Sequence, residues 1–347
     1  GGTAGLGNRE TRGNTTMKKA LIASTALVMT AGIAAADVTI SGYGRTAVNY
    51  EEGRSTFVDD VLTSQNETQV SARVRLNVHA TTSTDQGVDF GARLRLQWDQ
   101  GDSGIDRVSP GQIYVTASGF TVAVGNVGTA FDNAGLLYAS EVGLISRSFG
   151  NPMGDFYAYE SKSYGANNNR LGVSVEYAVD ALKARFSYVD ADQTGLTDAD
   201  EEISISVDYD WNDVALSAAA LKDGKSIDGN DQYFLGAYYT LAGTENGVGL
   251  SYIDNGVANK PVVVDGIRTG TANVEQGKTF VLYGDYVVAP LTTISAYVAN
   301  NDAAGNETDN AFGIGARYDL GGAYLAGSLE RGYDENVRGD FGVRFDF

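Results

Sequence analysis

The sequence has no cysteine, a single histidine (His79) and four prolines among 347 residues. Without cysteine, the chain has no disulfides, thiolate metal sites or cysteine nucleophile. Basic residues are also few: 25 Lys and Arg stand against 44 Asp and Glu, which gives a net charge of −19. Nucleic-acid binding needs clustered basic side chains that neutralise phosphates. We therefore expect no nucleic-acid partner.

Long apolar runs are lacking apart from one near the start of the chain. Residues 17–36 (MKKALIASTALVMTAGIAAA) begin with the basic pair Lys18-Lys19, continue through an uncharged segment and end in three alanines. This order is typical of a cleavable secretory signal peptide, and the segment is shorter and more polar than a spanning helix. We interpret residues 1–16 as an upstream extension, 17–36 as the signal peptide and 37–347 as a single exported domain.

The exported part is dominated by a period of two, which is the period of a β-strand. In EISISVDYDW, residues 202–211, apolar side chains alternate with Glu, Ser and Asp. We predict about sixteen such strands. They lie near residues 37–50, 68–80, 87–99, 110–118, 119–126, 168–179, 181–190, 202–211, 213–221, 231–242, 247–254, 278–289, 291–300, 310–320, 322–331 and 337–347.

Short and long connections alternate between these strands. The long ones are 51–66, 190–201, 255–277, 300–309 and, longest of all, about 127–167. This rhythm is typical of an antiparallel up-and-down sheet. Charged residues occupy one face of successive strands, while the apolar face often ends in Tyr or Trp. Since strands can span a membrane only as a closed barrel, the fold predicted is an all-β transmembrane barrel, apolar outside and polar inside.

At this point the sequence resembles the Gram-negative general diffusion porins. The matching stretches are ADVTISGYGRTAVNY (36–50), GVDFGARLRLQW (87–98), GFTVAVGNV (119–127) and the terminal GVRFDF (342–347). The resemblance covers residues 37–347. It implies a sixteen-stranded homotrimer in the outer membrane of a Gram-negative bacterium, surrounded by lipid and lipopolysaccharide. It also implies passive passage of small hydrophilic solutes and ions, with Phe347 as an assembly signal.

The last segment, VRGDFGVRFDF, alternates up to the final residue. We expect it to pair with the first strand and close the barrel, which removes a free edge. Phe341, Val343, Phe345 and Phe347 would then face lipid, and Arg338, Asp340, Arg344 and Asp346 would face water inside.

A basic cluster on three adjacent strands predicts one side of the pore. A barrel of sixteen strands leaves a water-filled interior, whereas arginines without partners in a packed core would cost much free energy. The predicted pore-wall residues are Arg45, Arg73, Arg75, Arg93 and Arg95.

The segment 127–167 corresponds to the third loop of the porins, which folds into the barrel and narrows it. Its acidic candidates for the constriction are Asp132, Glu141, Asp155 and Glu160, and its apolar residues include Phe131, Leu136, Leu137, Leu144, Ile145 and Phe149. Burying that apolar surface would favour the inward fold. An acidic loop opposite a basic wall would create a transverse electric field.

The acidic stretch DADQTGLTDADE, residues 190–201, has the spacing of a calcium-binding EF-hand loop. Its flanks alternate as strands and not as helices, which argues against an EF-hand. A weak divalent site, for Ca²⁺ shared with lipid phosphates, remains as an expectation at Asp190, Asp192, Asp198 and Glu201. No other cofactor is predicted.

Three other functions compete with the general diffusion porin. A substrate-selective porin would have the same fold, and a secreted all-β binding or adhesion protein would show the same alternation. An outer-membrane hydrolase would need a serine close to a histidine and an orienting partner. His79 lies alone on the polar face of its strand, and Ser71 is too far along that strand to be its partner. We therefore expect no enzymatic activity.

Overall fold

The computed structural model describes residues 36–101, 107–145, 151–161 and 169–347. The upstream extension and the predicted signal peptide up to residue 35 lie outside the described residues. In the described part, sixteen strands close into an antiparallel barrel and four more form a small separate sheet. No helix in that part is long and apolar enough to cross a membrane.

The barrel strands follow the order of the chain around the ring. They are β1 (Asp37–Glu51), β4 (Thr68–Ser83), β5 (Asp89–Asp99), β6 (Arg107–Ala117), β7 (Phe120–Gly125), β8 (Leu171–Val179), β9 (Leu182–Asp190), β10 (Glu202–Trp211), β11 (Val214–Lys222), β12 (Gln232–Thr240), β13 (Gly247–Asp254), β16 (Lys278–Ala289), β17 (Thr292–Asn301), β18 (Asn310–Asp319), β19 (Ala323–Arg331) and β20 (Val337–Asp346). All sixteen predicted segments coincide with these strands.

The alternation of side chains places apolar groups outside and polar groups inside. On β10, Ile205 is 53% exposed and Trp211 60% exposed, whereas Glu202 and Ser204, at the alternate positions, are each 1% exposed. Successive side chains of a strand point to opposite faces, so an exposed apolar face is the reverse of the soluble pattern. The prediction of a membrane barrel is confirmed, and a soluble sandwich is excluded.

The barrel closes where β1 pairs with β20 along nine residue pairs. The N–H of Gly42 donates to the carbonyl of Phe347 at 2.7 Å, and the N–H of Phe347 donates back at 3.0 Å. Phe341 and Phe345 point outward, as predicted. Asp340 differs from the prediction: it is 6% exposed, because the chain segment inside the barrel covers it.

Two connections predicted as loops, 51–66 and 255–277, contain strands. They hold β2 (Ser55–Val58), β3 (Val61–Ser64), β14 (Val257–Val264) and β15 (Ile267–Glu275), which form the separate sheet. β3 and β15 are exposed along their whole lengths. Strands without a buried face show no regular alternation, which explains why the sequence pattern missed them.

The packed core lies inside the barrel, between the wall and the connection from β7 to β8. We call the described parts of this connection, residues 126–145, 151–161 and 169–170, the inward loop. Its buried residues form one cluster with those of β11 to β18 and with Tyr333, which lies in the connection after β19. The members are Phe131, Ala134, Leu137, Ala139, Val142, Met153, Ala158, Ala219, Leu221, Phe234, Ile253, Val281, Tyr283, Tyr297, Ala299, Ala311 and Tyr333.

Candidate channel constriction

The inward loop is held inside the barrel first by its apolar side chains. Phe131 and Leu137 are fully buried, and Leu144 is 5% exposed. A series of tight turns, with N–H groups bonded to carbonyls three residues earlier, folds the segment 131–141 compactly. Phe149 lies outside the described residues. The apolar content of this segment therefore packs against the wall, as expected.

Polar side chains of the wall then bind the backbone of the inward loop. Side-chain oxygens on the wall accept hydrogen bonds from backbone N–H groups of the loop. The donors and acceptors are Ala130 to Ser187 (2.8 Å), Phe131 to Ser204 (3.1 Å), Gly135 to Asp208 (2.9 Å), Tyr159 to Glu202 (2.8 Å), Leu144 to Asp340 (2.9 Å) and Ile145 to Asp340 (2.6 Å). Amide donors on the wall reach loop carbonyls: Gln232 that of Tyr157 (2.7 Å) and Asn255 that of Met153 (2.8 Å). Buried backbone groups need such partners.

Sequence reasoning missed these anchors. All except Asn255, which directly follows β13, occupy inward positions of the strands, where polar residues facing water give the same pattern. What distinguishes them is the path of the loop, which the alternation of a strand does not encode.

Two glycines let the loop approach the wall closely. Gly143 has a φ of +86°, and a Cβ there would lie 2.5 Å from an Asp340 carboxylate oxygen. Gly154 has a φ of +70°, and its Cβ would lie 2.9 Å from side-chain atoms of Asn301 and Thr279. Both positions combine a left-handed backbone with contact, which only glycine tolerates without strain.

The opposite side of the interior contains a cavity of about 630 Å³. Its basic lining comes from Arg73 and Arg75 on β4 and from Arg93 and Arg95 on β5, which we call the arginine wall. Asp132 and Glu160 of the inward loop line the same cavity, as do Glu176 and Arg185 on β8 and β9. Four of the five predicted arginines and two of the four predicted acidic residues thus meet at one place.

Each arginine of the wall is held in place by a neighbour. Arg73 forms an ion pair with Asp99, and Arg75 Nε donates to Gln97 at 2.6 Å. Arg93 Nη2 donates to Ser161 Oγ at 2.6 Å, and Arg95 Nη1 donates to the Ser161 carbonyl at 2.5 Å. The last two arginines therefore also fasten the end of the inward loop.

Three predicted residues lie elsewhere. Arg45 does not line the cavity; its guanidinium lies 6.0 Å from the ring centre of Tyr43. Glu141 is also outside the lining. Asp155 forms an ion pair with Lys260 and lines a second cavity of about 330 Å³ near the long loops. The inward loop turns between these acidic residues, so their common sign in the sequence does not bring them together.

Arg185 is a lining residue that the sequence interpretation did not select. Its Nε lies 2.7 Å from Glu176 Oε2, and its Nη1 lies 2.5 Å from Asp208 Oδ2. Its inward position between Ala184 and Phe186 was the available signal. It lies far along the chain from the arginines of β4 and β5, so the sequence does not group it with them.

The acidic stretch 190–201 connects β9 and β10, so strands flank it and an EF-hand is excluded. Thr194 and Thr197 donate backbone and hydroxyl hydrogen bonds to the two carboxylate oxygens of Asp192. The hydroxyl bonds, then the backbone bonds, lower the pKa of Asp192 to about 2. Among the described residues, no group of three or more His, Cys, Asp or Glu is arranged to hold a metal ion. The geometry gives no support to the expected divalent site.

A closed barrel with an apolar outer face, a polar interior and an internal constriction is the architecture of a membrane-spanning channel. A family model described as Gram-negative porin matches residues 23–337. A porin of Fuscovulum blasticum is 38% identical over 318 residues, which is 90% of this chain and 100% of the relative.

Solved structures agree with this match. A triple mutant of Rhodopseudomonas blastica porin superposes with a TM-score of 0.75 at 38% identity, covering 89% of this chain and 100% of that chain. A structure described as asymmetric conductivity of engineered proteins gives a TM-score of 0.74 at the same identity and coverage. The chain belongs to the Gram-negative porin family. It forms a diffusion channel of the outer membrane and is a channel rather than an enzyme.

Proposed function

We propose that the cavity between the arginine wall and the inward loop is the selective constriction for small hydrophilic solutes and ions that cross passively. The observation that carries this proposal is the meeting of four arginines with Asp132 and Glu160 around one cavity. The opposite interior side is filled by the inward loop, so the open path runs along the arginine side.

The charges facing this cavity would produce an electric field across the path of a solute. Opposite charges on facing walls orient dipolar solutes and favour those that can replace water at polar groups. Apolar solutes gain nothing from the field and must displace bound water. The wall arginines keep their positions because Asp99, Gln97 and Ser161 hold them.

Arg75 offers the sharpest test, because its guanidinium donates to Gln97 on β5 and not to the inward loop. In Arg75→Gln, the loss of one positive charge changes the energy of a passing ion by about 1 kcal/mol at 4 Å in a water-like medium. Because this change favours cations and disfavours anions, it would raise the cation-to-anion permeability ratio by up to about 30-fold without screening. With the screening by salt in the measurement, we expect a rise of roughly five-fold. The measurement is the reversal potential of single channels in a planar bilayer under a KCl gradient.

Lys222→Gln is the matched control. Lys222 lies at the end of β11, its side chain is 70% exposed, and it does not line the cavity. The same small change in both variants would contradict the proposed constriction. Absence of conductance steps from correctly folded protein would contradict passive conduction itself.

The proposal extends to assembly and export. The resemblance to the porins supports a homotrimer set among lipid and lipopolysaccharide, with Phe347 read as an assembly signal and residues 17–36 removed on export. Chemical cross-linking of the purified protein tests the homotrimer, and sequencing of its N-terminus tests the removal of residues 17–36.

Phe347→Ala should lower the yield of assembled barrel, with Phe57→Ala on the exposed hairpin β2–β3 as control. Hydrogen bonds already occupy both carboxylate oxygens of Asp192, so Ca²⁺ binding at 190–201 stays a prediction from the sequence.

A further inference from the structure

The separate sheet joins two connections that start far apart on the barrel rim. The hairpin β2–β3 belongs to the connection from β1 to β4, and the hairpin β14–β15 to the connection from β13 to β16. Val61 pairs with Ile267. The N–H of Leu62 donates to the Gly266 carbonyl at 2.7 Å, and that of Arg268 donates to the Asp60 carbonyl at 2.7 Å. We call the two joined hairpins, residues 55–64 and 257–275, the strap.

Side chains reinforce this junction. Arg268 Nη2 lies 2.5 Å from Asp60 Oδ1, and its guanidinium stacks 5.2 Å from the ring centre of Phe57. Asp60 and Arg268 are about half exposed, with relative side-chain areas of 54% and 45%. Exposed ion pairs contribute little free energy, so the junction is a contact that can open.

The strap must span the distance between its two attachment points, which are the places on the barrel rim where the two connections begin. Six of the sixteen strands lie between them on the shorter side of the ring. Sixteen strands about 4.8 Å apart and tilted by about 40° close into a ring with a diameter of roughly 32 Å. Two attachment points separated by six strands of this ring lie about 30 Å apart. The eight residues of β14 alone reach about 27 Å. Together the hairpins are long enough to cross the mouth.

A contact with the inward loop shows that the strap leans over the lumen. Lys260 on β14 forms an ion pair with Asp155, and its ammonium lies 5.5 Å from the ring centre of Tyr157. Both partners belong to the inward loop, which lies inside the barrel. The hairpin therefore passes above the pore and does not fold away from it.

The strap divides the mouth into two openings. On the shorter side lies the cavity of about 330 Å³, which is lined by Asp155, Glu51, Arg338 and residues of the connections before β16, after β17 and after β19. On the longer side the mouth leads to the arginine wall. The faces of the strap are mostly exposed, so it adds little packing to the fold, and its position above the path is its main physical consequence.

We propose that the strap is a size filter at the entrance of the channel, in series with the constriction. Small ions pass beside it and are limited by the constriction alone. Larger hydrophilic solutes enter at full rate only when the junction between Asp60 and Arg268 opens. The proposal rests on the channel function and adds a second determinant of solute size.

The chain has no cysteine, which permits a clean cross-linking test in the full-length protein. The two backbone bonds flank Val61 and Ile267, so these residues form a non-hydrogen-bonded pair with Cα atoms about 4.5 Å apart. That separation suits a disulfide. In the double variant Val61→Cys/Ile267→Cys, oxidation should close the strap and reduction should release it within the same sample.

Liposome swelling with sugars from mono- to tetrasaccharide is compared before and after reduction, together with single-channel conductance in KCl. We expect the oxidised form to admit the largest permeant sugar at roughly half the rate of the reduced form or less, since flux follows open width. Conductance in KCl should be equal in both forms. Each single-cysteine variant serves as control and should not respond to reduction.

A second variant tests the opposite change. Replacing residues 262–270 by Asn-Gly joins Pro261 to Thr271, which are paired, through a two-residue hairpin turn. The shortened strap should admit large sugars faster than the unaltered protein, at unchanged KCl conductance. Failure of the introduced thiols to link, or identical swelling curves for the oxidised and reduced forms, would overturn the proposal. Loss of KCl conductance in the unaltered protein would instead contradict the channel function.

Discussion

On the β11–β19 side of the barrel interior, inward side chains pack against the inward loop, whereas on the β4–β9 side they line an open cavity. Phe234 and Ile253 on the first side are at most 1% exposed, and Arg75 and Arg95 on the second border about 630 Å³ of open space. Both sides come from strands with the same alternation. The position of the inward loop, and not the alternation of the strands, therefore determines which side of the interior is packed and which side lines the pore.

The packed side should respond most strongly to loss of buried volume. Phe131→Ala removes a fully buried ring from the inward loop, and such changes cost about 3–5 kcal/mol. We expect a lower thermal unfolding midpoint together with a larger and noisier single-channel conductance, because the loop loosens. Phe312→Ala is the control, since Phe312 is 50% exposed on the outer face of β18. Equal effects of both variants would show that the loop does not depend on this packing.

A smaller effect is expected from one polar anchor on the same side. Asp340→Ala removes the shared acceptor of the Leu144 and Ile145 N–H groups. Water can enter the space that the carboxylate leaves and satisfy these groups in part, so we expect a total cost of roughly 1–3 kcal/mol. We expect faster cleavage of the inward loop by added protease in the folded channel. Asp210→Ala, at an exposed position near the end of β10, should leave the cleavage rate unchanged. A rate that is insensitive to Asp340 would remove it from the anchors.

The contrast between the two sides also shows what the sequence could predict. Alternation in stretches such as EISISVDYDW predicted all sixteen barrel strands, because each has one face in lipid and one in a polar interior. It missed β3 and β15, which are exposed along their whole lengths. The pairing of Val61 with Ile267 joins residues more than two hundred positions apart and leaves no local pattern.

The candidate site was predictable where it depends on strands and not where it depends on the loop. Arg73, Arg75, Arg93 and Arg95 were found from their inward positions on neighbouring strands. Glu141 and Asp155 were misplaced because the path of the inward loop is set by distant wall residues. Asp340, selected as a residue facing water, binds the loop backbone instead.

Ionic strength should separate the two sides without any mutation. Charges that line water are screened by salt, with a Debye length of about 10 Å at 0.1 M and about 3 Å at 1 M. We expect the ion selectivity measured at a fixed activity ratio to fall markedly between these concentrations. The conductance noise of Phe131→Ala should not change in the same way, because apolar packing is not screened. Selectivity that stays constant with salt would argue against charges as its source.

The smallest expected effect is the loss of stability when one ion pair, at the end of the barrel on the packed side, is broken at low pH. Asp334 lies in the connection between β19 and β20, and Arg338 Nη1 and Nη2 donate to its two oxygens at 3.0 and 2.5 Å. Burial acts to raise the pKa of Asp334, but these bonds and the charge of Arg338 outweigh it and lower the pKa below 3.8. A lowered pKa means that the ion pair stabilises the fold above pH 3.8 and that this contribution disappears as the pH falls below that value.

Because the side chain of Asp334 is 41% exposed, we expect the ion pair to contribute about 0.5 kcal/mol or less. Thermal unfolding midpoints of the unaltered protein and of Asp334→Asn should therefore differ slightly at pH 7 and converge as the pH falls below 3.8. Arginine side chains stay protonated at acidic pH. Acid should therefore remove the Asp334–Arg338 ion pair on the packed side and leave the positive charge of the arginine wall unchanged. A difference between the two proteins that grows on acidification would reverse the sign of this linkage and exclude the ion pair as its cause.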